Sequence, residues 1–177
     1  MVNVWHDVSV GDNAPEEVNV IVEIPSGSHN KYELDKQTGL IKLDRVLHAS
    51  FHYPGNYGFI PQTLCEDNDP LDVIVLTHSP LHPGVMLVVR PVGSLTMNDN
   101  GEPDDKILAV PVHDPRYKEI VSLKDVPKHF LLEIKYFFER YKDLEGKKVV
   151  IKDWNDSRVA HKLIKDSMAM YKKKFNQ

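Results

Sequence analysis

The chain contains a single cysteine, Cys65, in 177 residues. An internal disulfide is therefore excluded, which agrees with a reducing compartment, and a small buried apolar role suits Cys65 better than catalysis. No apolar run approaches the roughly 20 residues needed to span a bilayer, and the N-terminus shows no basic-then-apolar signal region. These absences predict a soluble, cytoplasmic protein with no membrane partner. Positive charge is not in excess either: charged residues make up 27% of the chain and the formal net charge is −4. No global basic field recruits nucleic acid or acidic lipid, so an anionic ligand needs a local site. A Walker loop, a Gly-x-Ser-x-Gly elbow and a dinucleotide fingerprint are all missing, which sets aside nucleotide-loop and serine-hydrolase chemistry. Internal repeats, low-complexity segments and linkers are missing too. With 41% hydrophobic residues, the expectation is one domain over residues 1–177 with a substantial core. The first 17 residues, rich in turn formers (Gly11, Asp12, Asn13, Pro15) and without periodicity, read as an arm lying over it.

Strand patterning dominates what is present. Val18, Val20 and Val22 alternate with Asn19, Ile21 and Glu23, and Pro25 with Ser26-Gly27-Ser28 ends the run. Further strands are predicted over 31–34, 40–47, 57–60, 71–76, 85–92, 106–111 and 148–151. This close spacing, broken by Gly and Pro, favours an antiparallel barrel over a parallel sheet with crossover helices. Helical periodicity comes late. Phe130, Ile134, Phe137, Tyr141 and Leu144 recur every three or four residues, with Gly146 as a stop. A second helix is predicted over 157–174, capped by Asn155, Asp156 or Ser157, with Ala160, Leu163, Ile164, Met168 and Tyr171 as its apolar face. Lys172, Lys173 and Lys174 suit a solvated helix C-terminus.

Asp67-Asn68-Asp69-Pro70-Leu71-Asp72 places three carboxylates within six residues. Two ionised carboxylates about 5 Å apart repel by roughly 3 kcal/mol at an effective dielectric of about 20. The segment must be solvated or bind a cation. On the hexapeptide alone, a cation site and an acidic turn ahead of a strand both stand. A second acidic segment, residues 99–106, begins with Asp99-Asn100-Gly101 and includes Asp104, Asp105 and Lys106. It reads either as an Asn-Gly hairpin tip or as part of a carboxylate nest if both segments open on one rim of a barrel. Oxygen-only donors select hard cations, with Mg²⁺ ahead of Zn²⁺ or Cu²⁺, whereas Leu71 and Asp72 break the EF-hand pattern.

Lys31, Arg45, Lys106, Tyr141 and Lys142 each have an ordinary explanation, such as a strand rung for Lys31 with Glu33, or Arg45 balancing Asp44. Together with oxygen ligands for divalent ions, however, these donors are what phosphoryl transfer requires. The pairs His48/His52 and His78/His82 are discounted as metal ligands, because no third ligand lies near in sequence and Pro80 and Pro83 preclude a regular helix.

These residues, in order, resemble family I soluble inorganic pyrophosphatases over nearly the whole chain. The match runs through Glu-Ile-Pro at 23–25, Lys-Tyr-Glu at 31–33, Asp44-Arg45, Asn56-Tyr57-Gly58, the acidic hexapeptide with Val73, Arg90-Pro91-Val92-Gly93, Ala109-Val110-Pro111 and residues 137–142. The resemblance implies a small closed barrel of the oligonucleotide/oligosaccharide-binding (OB) type flanked by two helices, and Mg²⁺-dependent hydrolysis of pyrophosphate. By resemblance, Asp67, Asp72 and Asp104 hold one metal, Asp99 and Asp104 hold another that arrives with substrate, and Asp69 is the general base for a water between two metals. Lys31, Arg45, Tyr57, Lys106, Tyr141 and Lys142 grip the phosphates, while Glu23 and Glu33 act through metal-bound water. Asn100 stands where some members carry another acid. No covalent intermediate is expected, Mn²⁺ is an alternative metal, and the length resembles the shorter members that assemble as hexamers. Two other readings remain at this stage: a metal-dependent hydrolase acting on nucleotides, and a non-catalytic OB-type binding module, which would need aromatic platforms in a basic groove.

Overall fold

The computed structural model describes residues 2–175. Nine strands form: β1 (Val18–Ile24), β2 (Asn30–Leu34), β3 (Ile41–Val46), β4 (Asn56–Phe59), β5 (Asp72–Val75), β6 (Met86–Asp99), β7 (Glu102–Pro103), β8 (Lys106–Pro111) and β9 (Val149–Asp156). Two α-helices follow the expected places, α1 (Lys128–Arg140) and α2 (Ser157–Phe175).

The main sheet runs β1-β4-β5-β8-β6, and β6 pairs back onto β1 through Val18 and Val89, so five strands close into a ring. β2 and β3 make a separate two-stranded ribbon. One pairing departs from the antiparallel expectation. β5 and β8 run parallel, with Asp72 opposite Lys106 and Ile74 opposite Leu108. The chain reaches this arrangement by passing through β6 and β7 rather than a crossover helix, which is why strand spacing alone read as antiparallel throughout.

Closure at β1–β4 depends on a glycine. A Cβ on Gly58 would lie 2.0 Å from the Ile21 carbonyl oxygen, so the two strands could not approach with any other residue there. β6 extends beyond its expected end, because its second half pairs with β9 from Gly93/Asp156 to Asp99/Val149. β1 also differs from a half-exposed strand. Ile21 and Glu23 are buried along with the valines, because Ile21 joins a cluster with Trp5, Leu34, Phe59, Leu64 and Tyr171. The N-terminal arm thus covers the outer face: Trp5 is buried and its indole N–H donates to the Thr63 carbonyl at 2.9 Å.

The two helices cover different clusters. Ile134, Phe137, Phe138 and Tyr141 pack with Ile74, Val92, Leu95 and Leu108, whereas Ala160 and Ile164 of α2 pack with Val73, Val75, Ile107 and Ala109. Strand alternation explains the division, since neighbouring residues of β5 and β8 point to opposite faces. The stripe expected for α1 is narrower than its sequence period. Phe130, in the first turn, is 47% exposed, and Leu144 is 68% exposed, the latter because the helix ends at Arg140 and a 3₁₀ turn over Asp143–Glu145 takes the chain away until Gly146 stops it at φ 68°. On α2, Asp156 is the cap: its Oδ1 accepts from the Arg158 and Val159 amides at 3.0 and 3.3 Å. Leu163 and Met168 are only half-buried on that helix, and Ser167 joins its buried face.

Candidate active site

A cleft of about 680 Å³ opens where the β2–β3 ribbon, both acidic segments and the end of α1 meet. The strands deliver its central groups. Asp72 begins β5 and Lys106 begins β8, so their parallel register sets the two side by side on the face that continues into Ile74, Leu108 and the α1 aromatics. Lys106 Nζ donates to Asp72 Oδ2 at 2.5 Å and pairs with Asp104 as well. Only 3% of its side chain is exposed. Burial opposes its charge, but Asp72 and Asp104 outweigh that, so the ammonium is held well above its ordinary range. Tyr57, on β4, donates its hydroxyl to the same Asp72 Oδ2 at 2.5 Å. Burial, and then the Asp72 charge, pushes that hydroxyl well up, so it remains a proton donor.

The second acidic segment is both a hairpin tip and a wall of the cleft. Asp99 pairs with Glu102 across β6–β7, and Asn100 and Gly101 carry φ values of 51° and 94°. Those signs suit a primed two-residue turn, for which Asn-Gly is the favoured sequence. The turn sends Asp99 towards Lys142, which pairs with its Oδ2, while Asp99 Oδ1 lies buried with no hydrogen-bond partner among the described residues. Lys142 follows Tyr141, the C-cap of α1, whose ring stacks on Phe137 at 5.0 Å.

The first acidic segment curls on itself. Asp69 N–H donates to Asp67 Oδ1 at 2.9 Å, Cys65 N–H donates to the Asp69 carbonyl at 2.8 Å, and Asn68 adopts φ 67°. Across the cleft, Glu23 accepts from the Leu34 amide at 2.7 Å. Burial, then the Asp72 charge, lifts its carboxyl to about 8. Lys31 Nζ donates to Glu33 and to Asp44, each at 3.0 Å. The strand-rung reading of Lys31 and its place on the cleft wall therefore both hold.

Arg45 is the expected site residue that the structure places apart. It pairs with Lys31 in the ribbon register, yet its Nε donates to Glu145 at 2.9 Å and its Nη1 to Asp44 at 2.5 Å, and it does not line the cleft. The 3₁₀ turn after α1 brings up Glu145, and local sequence spacing gives no sign of that partner. Lys36 was likewise not singled out from the sequence. It lies in the β2–β3 turn, lines the cleft and pairs with Asp69. The only hint was its nearness to Lys31 and Glu33.

Nine carboxyl side chains and five lysines line the cleft. Such an excess of acid repels a polyanion unless cations come with it. Among the described residues, no three carboxyl, imidazole or thiol groups sit close enough together to hold an ion. Lysines stand between the acids instead. The donor set nevertheless fits a hard divalent cation: every acid offers oxygen, and Asp99 Oδ1 is buried with its acceptor capacity unused.

A protein-family model described as inorganic pyrophosphatase matches residues 20–172. The chain belongs to the inorganic pyrophosphatase family. It is 54% identical over 167 residues to soluble inorganic pyrophosphatase 3 of Arabidopsis thaliana, covering 94% of this chain and 77% of that relative. Soluble inorganic pyrophosphatase 2 of Chlamydomonas reinhardtii is 50% identical over 171 residues, covering 97% and 89%. Among solved structures, the inorganic pyrophosphatase of Thermus thermophilus superposes with a TM-score of 0.93 at 46% identity, covering 97% of this chain and 99% of that one. The ring of five strands with two helices is thus this family's fold. No helix among the described residues is long and apolar enough to cross a membrane.

Proposed function

We propose that the protein hydrolyses inorganic pyrophosphate to two orthophosphates in the presence of Mg²⁺. The observation that carries this reading is the convergence, in one cleft of a chain of this family, of oxygen-only donors with lysines held against them. Asp67, Asp72 and Asp104 would hold one divalent ion, and Asp99 with Asp104 a second, with Glu23 and Glu33 acting through ordered water. Bound there, such ions supply positive charge to the phosphate oxygens and acidify the attacking water.

The chain's own groups do the rest. Asp69 accepts the proton of the water that attacks phosphorus, from a half-exposed position on a tight turn where its carboxylate pairs with Lys36. Lys106, kept charged at the rim, and Lys142 turn from carboxylate to phosphate as substrate enters, and Tyr57 and Tyr141 add neutral donors. Lys31 and Arg45 complete the grip from the ribbon, Arg45 by exchanging Glu145 or Asp44 for a phosphate oxygen. The cleaved bridging oxygen leaves on an orthophosphate stabilised by these cations, so no covalent enzyme intermediate is needed.

We further take residues 1–177 as one pyrophosphatase domain with an N-terminal arm, working in the cytoplasm as a homo-oligomer, a hexamer. The near-complete length match to the Thermus chain supports the short-chain class. The exposed apolar residues Phe130, Leu132 and Tyr136 on α1 give such an assembly a surface to cover. The deciding experiment is phosphate release from pyrophosphate with and without Mg²⁺, beside ATP as a competing substrate. Release that depends on Mg²⁺ and prefers pyrophosphate is expected. Faster cleavage of ATP would make it a nucleotide phosphoanhydride hydrolase, and no release at all would sink the reading.

A further inference from the structure

Five lysines meet carboxylates of the cleft. Lys31, Lys106 and Lys142 already have work in the proposed reaction, whereas Lys36, the one that reaches Asp69, has none. Its surroundings are specific. Asp35 Oδ1 accepts from the Gln37 and Thr38 amides at 3.2 and 2.8 Å, and Gly39 closes the turn at φ 73°, so the backbone that carries Lys36 is fixed. From that turn the Lys36 ammonium donates to the Asn68 carbonyl at 3.0 Å and pairs with the Asp69 carboxylate. It also lies 5.7 Å from the ring centre of Trp5. One cation thus spans the backbone and the side chain of consecutive residues in the acidic turn, with an aromatic face beside it.

We propose that Lys36 is a positioning residue that sets the rotamer of Asp69 and the course of the 67–70 turn, with Trp5 of the N-terminal arm as its support. This rests on the reading of Asp69 as general base. A single exposed ion pair between two side chains is weak, because each chain loses freedom in forming it. Here the lysine is restrained at three points, so less freedom is lost when it holds the carboxylate, and a base must be held in a productive geometry to act. Lys36 works through Asp69 and is not required to touch substrate.

The test uses the full-length protein under saturating Mg²⁺, with Lys36→Met, which keeps a long unbranched side chain and removes the charge. Turnover should fall about tenfold, the scale seen when a group orienting a site ligand is removed, while KM for pyrophosphate stays unchanged. Lys36→Arg should restore most of the loss. In an Asp69→Asn background, Lys36→Met should change the residual turnover by less than about twofold, because coupled residues are not additive. A rise in KM with turnover intact would make Lys36 a substrate contact and overturn the proposal, as would wild-type kinetics in Lys36→Met or a fully additive loss in the double variant. Near-wild-type turnover in Asp69→Asn alone would instead overturn the base assignment, and the positioning role with it.

Discussion

The acidic turn at residues 99–104 is registered by backbone against strands on both sides, whereas the tip of the one at residues 67–72 has only local backbone bonds to Cys65 and is otherwise tied down by side chains that arrive from distant parts of the chain. In the first, β7 pairs with β6, Asp104 N–H donates to the Met97 carbonyl, and Asn100 N–H donates to the Lys148 carbonyl just ahead of β9. In the second, Lys36 reaches the Asn68 carbonyl and Asp69, and Lys174, in the last turn of α2, donates to Asn68 Oδ1 at 2.7 Å. A ladder fixes a turn to within the pleat of its strands, so its carboxylates inherit the precision of the sheet. A turn fixed by side chains depends on single residues far away in sequence. Remote substitutions should therefore disturb the proposed base more readily than the carboxylates of the hairpin.

Four perturbations separate the two turns, from the largest expected effect to the smallest. Asp69→Asn, in the side-chain-held turn, should lower turnover by about 10²–10⁴-fold, the usual contribution of a general base, with an unchanged melting curve. Steady-state kinetics beside thermal unfolding would check it, and a matching loss of stability would make the effect structural. Asp72→Ala lies where that turn enters β5. It should raise the Mg²⁺ concentration for half-maximal activity about tenfold, corresponding to about 1.4 kcal/mol of binding. An unmoved magnesium titration would remove Asp72 from the ligand set. Gly101→Ala tests the hairpin. Its φ of 94° disfavours any Cβ although nothing lies within 4 Å, so only backbone strain is introduced. Denaturant unfolding should register a loss of about 1 kcal/mol. Lys174→Met should cost less still, about 0.5 kcal/mol, since it breaks one exposed hydrogen bond. If the side-chain ties matter as argued, its effect on turnover should exceed that of Gly101→Ala despite the smaller effect on stability.

How much of this was legible in the sequence follows the same division. The Asn100-Gly101 turn and a cap at or beside Asp156 are local chemistry and were readable from neighbouring residues, whereas the second half of β6 and β7 were not, and α1 ends at Arg140, ahead of the expected stop at Gly146. The convergence of the two acidic segments could be expected once a closed barrel was supposed. The pairing of Asp72 with Lys106 could not, because a parallel neighbour is not visible in strand spacing. Nor was the capture of Arg45 by Glu145, one hundred residues away, or the reach of Lys174 to Asn68, where a solvated helix end seemed a sufficient account. Trp5 shows the same limit from the apolar side. A lone tryptophan in a stretch without periodicity gives no sign that it will be buried against Tyr171 and Phe175 at ring separations of 6.1 and 5.6 Å.

The parallel pairing of β5 with β8 makes folding and activity one event. Sliding β8 by a single residue along β5 would put Ile107 where Lys106 now faces Asp72, and would turn the lysine towards the cluster of Val73, Val75 and Ala109. The rest of β8 is apolar on both faces, so Ile107 and Ala109 would merely change places with Leu108 and Val110. The charge of Lys106 is thus what tells one register from the other, and the residue that belongs to the reactive centre also proofreads the pairing of the ring.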